Sequence, residues 1–179
     1  FDYYNNFESG AGDWEGRGGA TAAVSSDNTY EGSKALYVSG RTDSWNGCQI
    51  ALGSQFTAGS SYSFSAAVSP KGKKASEMML SIQYSTGGED QYGHIGSLTV
   101  QPDKWGVISC SEFTLPADGS NFVLYVETAS GSSDFYIDEI AVGAVGAVKD
   151  NMKFGTQLGD MDGDDCITTF DTAMLRHYI

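Results

Sequence analysis

The chain has 179 residues, with 23 acidic against 10 basic side chains and a net charge of −13. That length holds one sandwich-sized domain with a core and a small appendage. The charge leaves no basic surface for phosphates, so nucleic acid is not an expected partner. A neutral polymer fits such a surface, and an anionic one fits it badly. No apolar run approaches the roughly 20 residues that cross a bilayer, so no membrane partner is expected. The chain opens abruptly at Phe1 without a signal peptide and reads as a processed or excised piece; its acidic excess is common in secreted proteins.

The pattern over residues 1–145 is all-β, with short aromatic runs separated by frequent turns. Trp14 and Trp105 lie beside strand-like runs, which suits core or edge packing. Trp45 stands in the polar stretch Arg41-Thr-Asp-Ser-Trp45-Asn-Gly, with no alternating apolar partner. An exposed loop tryptophan is a good platform for a sugar ring. Arg41, in the same stretch, could be a ligand contact, and the favoured reading is a structural one, a brace for its loop. Further on, Tyr62, Phe64, Ala66 and Val68 alternate with serines, and Met78, Leu80, Ile82 and Tyr84 alternate again. Period two predicts strands with one buried face. Thr86-Gly87-Gly88 and Ala117-Asp118-Gly119-Ser120 mark turns. In the strand that follows, Phe122, Leu124 and Val126 face the core. Tyr125 and Glu127, two apart, share the opposite face.

Cysteines stand at 48, 110 and 166, with no CxxC spacing, and there are two histidines. A zinc site is not expected. Cys48 and Cys110 could form a disulfide or be buried thiols, and the sequence leaves both readings open.

From about Gly143 the text turns small and weakly polar, and residues 146–157 read as a linker. A second module then begins at 158. Residues 160–171 have the spacing of a twelve-residue EF-hand-type calcium loop. Oxygen donors fall at Asp160, Asp162 and Asp164, the Cys166 carbonyl follows, then Thr168, and Asp171 closes the loop. Position 6 is Asp165, where the rule wants glycine for a sharp turn. Position 12 is an aspartate in place of the usual glutamate.

This segment, Gly159-Asp-Met-Asp-Gly-Asp-Asp with Ile167, Phe170-Asp171 and a helical Ala173–Ile179, resembles a dockerin. Dockerins are paired calcium loop–helix repeats that dock into cohesin modules of a cellulosome scaffold, and their loops close with aspartate. One repeat is present. The resemblance implies a C-terminal EF-hand-like segment over 158–179, a cohesin partner and an extracellular, cellulosome-associated location.

The main domain has its own resemblance. Phe7-Glu8-Ser-Gly…Trp14-Glu-Gly-Arg17-Gly, Tyr30-Glu-Gly-Ser-Lys-Ala-Leu-Tyr-Val-Ser-Gly-Arg41-Thr-Asp-Ser-Trp45-Asn-Gly, Leu124-Tyr-Val-Glu127-Thr and Phe135-Tyr-Ile-Asp138-Glu-Ile are similar to family 22 carbohydrate-binding modules. The resemblance implies a jelly-roll β-sandwich that binds xylan or xylo-oligosaccharides, sometimes mixed-linkage glucan, without catalysis. By family position, Arg17 and Glu127 would bond sugar hydroxyls, while Trp45, Tyr92 and Tyr125 would pack against xylose rings. The same resemblance implies a structural calcium held by Glu8, Glu31, Asp138 and the Ser33 carbonyl.

A small jelly-roll glycoside hydrolase is the alternative. It needs two carboxyls facing each other across a cleft, about 5 Å apart if it retains configuration. Glu127 could be one, with Glu77 or Glu112 as the other.

Overall fold

A computed structural model describes residues 1–148, so the linker beyond that point and the 158–179 segment lie outside the described residues. Eleven strands form two antiparallel sheets. They are β1 (Tyr3–Asn5), β2 (Glu15–Arg17), β3 (Thr21–Ser25), β4 (Ala35–Ser39), β5 (Gly47–Ala51), β6 (Ser61–Pro70), β7 (Ser76–Thr86), β8 (Glu89–Val100), β9 (Gly106–Thr114), β10 (Ser120–Thr128) and β11 (Phe135–Gly143). The five-stranded sheet runs β2-β5-β10-β7-β8. The six-stranded sheet runs β3-β4-β11-β6-β9, with β1 paired to the second half of β11.

Two apolar faces meet between the sheets. Phe64, Ala66 and Val68 of β6, Met78, Leu80 and Ile82 of β7, and Phe122, Leu124 and Val126 of β10 all enter one core cluster, as their alternation predicts. Each fully buried Leu, Ile or Phe contributes roughly 1.5–3 kcal/mol by leaving water. Trp14 is buried too, edge-on to Phe7, and its indole N–H donates to the Tyr3 hydroxyl at 2.8 Å. Cys48 is fully buried, and no disulfide joins it to Cys110.

In β11, Phe135 and Ile137 face the core, and so do Ile140 and Val142. That switch from odd to even positions requires one extra residue. A bulge between Asp138 and Ala141 supplies it, with Glu139 at φ 48°. The bulge keeps apolar side chains inward along the whole strand.

The serines of β6 differ from the expected half-exposed strand. Ser63, Ser65 and Ser69 are buried. The reason is a second layer over the outside of the six-stranded sheet. The Ser69 hydroxyl accepts from Asn28 Nδ2, and Asn28 Oδ1 in turn accepts the Trp105 indole N–H at 2.9 Å. At the other end the chain returns across Ser63, whose hydroxyl donates to the Ala144 carbonyl and accepts from the Val148 N–H. Val148 is buried, so residues 146–148, the start of the expected linker, still pack on the sandwich.

Candidate functional site

The core fixes which side chains reach the outside of the five-stranded sheet. Because Phe122, Leu124 and Val126 are buried inward, Tyr125 and Glu127 must point outward. Register then sets their neighbours. Tyr125 lies between Gln49 on β5 and Ser81 on β7, and Gln49 is flanked in turn by Glu15 on β2. Gln83 pairs with Tyr92 on β8.

Over this sheet lies an open cleft of about 460 Å³, lined by Arg17, Trp45, Tyr92, Tyr125 and Glu127. All five residues implied as sugar contacts therefore come together in one place, from three strands and a loop.

Arg17 is the centre of the arrangement. Its guanidinium carbon lies 3.9 Å from the Tyr125 ring centroid and 6.0 Å from that of Tyr92. One terminal nitrogen donates to both Gln49 Oε1, at 2.8 Å, and Gln83 Oε1, at 2.7 Å. Gln49 is itself held by Glu15, which accepts from its amide nitrogen at 2.8 Å. The two amides fix a flexible side chain in one pose, which lowers the entropy lost when a ligand binds. Tyr125 is 4% exposed beneath the guanidinium, while Trp45 and Tyr92 are 53% and 61% exposed. Tyr125 is thus a floor, and Trp45 and Tyr92 are walls. Sugar rings present apolar C–H faces to such aromatic surfaces.

Glu127 stands beside this group. Burial raises its carboxyl above the usual range, against the pull of Arg17 and Arg41. Desolvation also raises the Tyr125 hydroxyl, and the charge of Glu127 adds to it.

Trp45 is held by its loop. Arg41 is buried, and its guanidinium donates to the carbonyls of Asn46 and Ser44, each at 2.8 Å, and to Thr128 Oγ1 at 2.6 Å. It also donates to the Ser133 carbonyl and lies over the Phe135 ring. Asn46 Oδ1 accepts from the N–H groups of Thr42 and Asp43. On the ligand side the indole rests against Gly18, where a Cβ would lie 2.4 Å from the ring and φ is +65°. Only glycine leaves room for it there.

Sequence reasoning passed over Gln49, Gln83, Gly18 and Asn46. Gln83 had a signal: it sits between the inward Ile82 and Tyr84 and so must face outward with the site. The Arg17 clamp had none, because it depends on register between distant strands.

The residues implied for a sandwich calcium surround the turn at 30–34. Glu8 accepts from the Ser33 and Lys34 N–H groups and from the Ser33 hydroxyl. Asp138 accepts from the N–H groups of Tyr30 and Glu31. Glu31 enters through its backbone and Ser33 through its N–H and hydroxyl. Among the described residues no three His, Cys, Asp or Glu side chains converge closely enough to hold a metal by themselves. Asp138 is nonetheless fully buried, with its carboxyl pushed up to about 6 by that burial. A hard cation at this turn would meet oxygen donors and relieve the buried charge.

The two-carboxyl alternative fails on placement. Glu112 is on β9, in the other sheet. Glu77 does not line the cleft and accepts from Ser97. Glu127 is the one carboxylic acid among the described lining residues.

Residues 3–133 match the family model described as "Carbohydrate binding domain". The C-terminal family 22 carbohydrate-binding module of Clostridium thermocellum Xyn10B superposes with a TM-score of 0.79 at 35% identity, covering 82% of this chain and 96% of that one. This chain belongs to the family 22 carbohydrate-binding modules. It is a non-catalytic, carbohydrate-binding β-sandwich. Among full-length relatives, endo-1,4-beta-xylanase Y of Acetivibrio thermocellus is 35% identical over 99% of this chain and 17% of its own length. A xylanase/beta-glucanase of Ruminococcus flavefaciens is 38% identical over 80% of this chain and 18% of its own length. The chain thus spans less than a fifth of the length of each of these proteins.

Two outcomes follow from the geometry. Arg41→Ala removes four hydrogen bonds to the loops at this end of the sheet and exposes no new ligand atom. It should lower stability by about 3 kcal/mol and weaken sugar binding through Trp45, measured by urea denaturation and calorimetry. Protonating Glu127 removes a charged acceptor. Because its pKa is raised, affinity should already fall at mildly acidic pH, above the range of an ordinary glutamate. Glu127→Gln should be weak and pH-independent across that window, and the wild type should converge on it as pH falls.

Proposed function

We propose that the cleft binds the β-1,4-xylan backbone and that the module holds a linked plant-cell-wall-degrading enzyme on its substrate. The observation that carries this reading is the convergence of Arg17, Trp45, Tyr92, Tyr125 and Glu127 in one cleft. The names of the relatives support the choice of polymer: two are xylanases, and one solved structure is described as a xylan-binding domain from family 22. In this role Trp45 and Tyr92 take the flat faces of xylose rings, and Arg17 and Glu127 bond their hydroxyls. Such charge-assisted bonds are short and strong when preorganised.

Affinity electrophoresis against xylan, mixed-linkage glucan and a soluble cellulose derivative tests this. Wild type should be retarded most by xylan. Trp45→Ala and Glu127→Ala should each weaken binding by about 10- to 100-fold, from roughly 1–3 kcal/mol of lost contact, with the fold retained by circular dichroism. Full binding by both variants would remove the cleft from consideration.

We further propose that calcium stabilises the turn held by Glu8 and Asp138, completed by backbone carbonyls, without touching the sugar. A cation bound only to the folded state raises the melting temperature by mass action. EDTA should lower the Tm while leaving xylan binding intact below it. Asp138→Asn should lose most of the calcium-dependent rise.

For residues 158–179 we propose the first calcium loop and helix of a dockerin. Asp160, Asp162, Asp164, Cys166, Thr168 and Asp171 would ligate the ion, and a cohesin would be the partner of the complete dockerin. The spacing of those donors supports this reading. On this reading the parent protein works outside the cell, attached to a cellulosome scaffold.

A further inference from the structure

Three loops meet at the end of the cleft marked by Trp45 and Glu127. They are residues 40–46, 71–75 and 129–134. The Thr128 N–H donates to the Ser44 carbonyl, and the Ala129 N–H donates to the Glu77 carbonyl at 2.9 Å. The Lys71 N–H donates to the Asp134 carbonyl at 2.8 Å, and Gly72 packs against Ser133. Between the last two loops lies a second hollow of about 370 Å³, lined by Lys73, Lys74, Ser76, Ser130, Gly131 and Ser133. Ser130 is three residues past Glu127, which keeps the two within roughly 10 Å of each other at most. The hollow therefore adjoins the cleft, close to its carboxylate end.

Its chemistry differs from everything around it. The protein carries −13, yet three of its 10 basic residues fall within positions 71–74. The Lys71 ammonium lies over the Tyr37 and Tyr136 rings, 5.5 and 5.6 Å from their centroids, on the other sheet. Lys73 and Lys74 are exposed and line the hollow, with serines at 76, 130 and 133 and no carboxylate. The overall charge disfavours an anionic polymer, and this corner is the local exception.

We propose that the hollow is a subsite for a carboxylate-bearing branch, a uronic acid, carried by the polysaccharide whose backbone lies in the cleft. The proposal rests on the xylan reading above. The two ammonium groups meet the carboxylate, and the serine hydroxyls meet the branch hydroxyls. Exposed ion pairs are weak, so a free uronic acid gains too little to bind here. A branch on a chain already held by Arg17, Trp45 and Glu127 is presented at an effective concentration that such weak contacts can use. The subsite thus sets a preference among xylans and does not hold a free sugar by itself.

Calorimetry with three probes tests this: xylotetraose, xylotetraose bearing one glucuronic acid, and free glucuronic acid. Wild type should bind the branched tetraose about three- to tenfold more tightly than the unbranched one at low salt. The preference should vanish in 1 M NaCl, where the Debye length is about 3 Å. Lys73→Ala/Lys74→Ala should bind both tetraoses equally, at the wild-type affinity for the unbranched one, which also shows that its cleft is intact. Free glucuronic acid should give no measurable heat. Equal affinities in the wild type, or a preference that survives the double substitution, would overturn the subsite. Measurable binding of free glucuronic acid would overturn the branch in favour of a general anion site. A wild type that binds neither tetraose would overturn the xylan reading and the subsite with it.

Discussion

The alternation of β10 is the constraint on which the site depends. Phe122, Leu124 and Val126 are locked in the core, and shifting the strand by one residue would expose all three and bury Glu127. Removing three large apolar side chains from water contributes several kcal/mol, so no competing register is populated. Tyr125 and Glu127 inherit their outward direction from that burial. The neighbouring strands bring Gln49 and Gln83 to the same face by register, and these hold Arg17 over Tyr125. The binding face is in this sense the reverse side of the core.

Two arginines serve the cleft in different ways. Arg17 lies in it, half-buried, stacked on an aromatic ring and tethered by two amides. Arg41 does not line the cleft and donates to three backbone carbonyls, those of Ser44, Asn46 and Ser133, from two loops. A planar guanidinium with five donors suits both tasks, because it can bind several acceptors from one rigid group. Lysine at either position would keep the charge and lose the fork. The exposed Trp45 depends on this arrangement. A bare indole in water invites disorder, and here Arg41 and Asn46 fix its loop from behind while Gly18 supplies a flat seat.

Much of this was legible in the sequence, and the parts that were not share a cause. The two-faced strands could be read from period-two alternation, and β10 gave both its core set and its outward pair. Trp45 stood out because a polar stretch has no structural use for a tryptophan. Arg17 and Tyr92 came only from family resemblance. Arg17 follows Gly16 in a three-residue strand, and Tyr92 lies in a run of exposed residues, so neither carries a pattern of its own. The buried serines of β6 were also hidden. A serine on the outer face of a strand reads as solvated, and only the return of residues 144–148 and the Asn28–Trp105 contact cover it. The β11 bulge was invisible because apolar residues at 135, 137, 140 and 142 fit no single period.

The distribution of charge separates what holds the polymer from what can discriminate among polymers. Within the cleft the cation of Arg17 faces the anion of Glu127, and the remaining lining is aromatic. That surface is near neutral and suits an uncharged backbone, whose hydroxyls need a donor on one side and an acceptor on the other. Ionic strength has little to act on there, since the two charges have opposite sign, line one cleft and are half-buried. The chain's large acidic excess lies elsewhere and keeps the domain soluble beside a polysaccharide. Lys73 and Lys74 are the departure from this pattern. They stand at the cleft's end, beyond the preorganised residues, where a charge can alter preference without disturbing the contacts that give affinity.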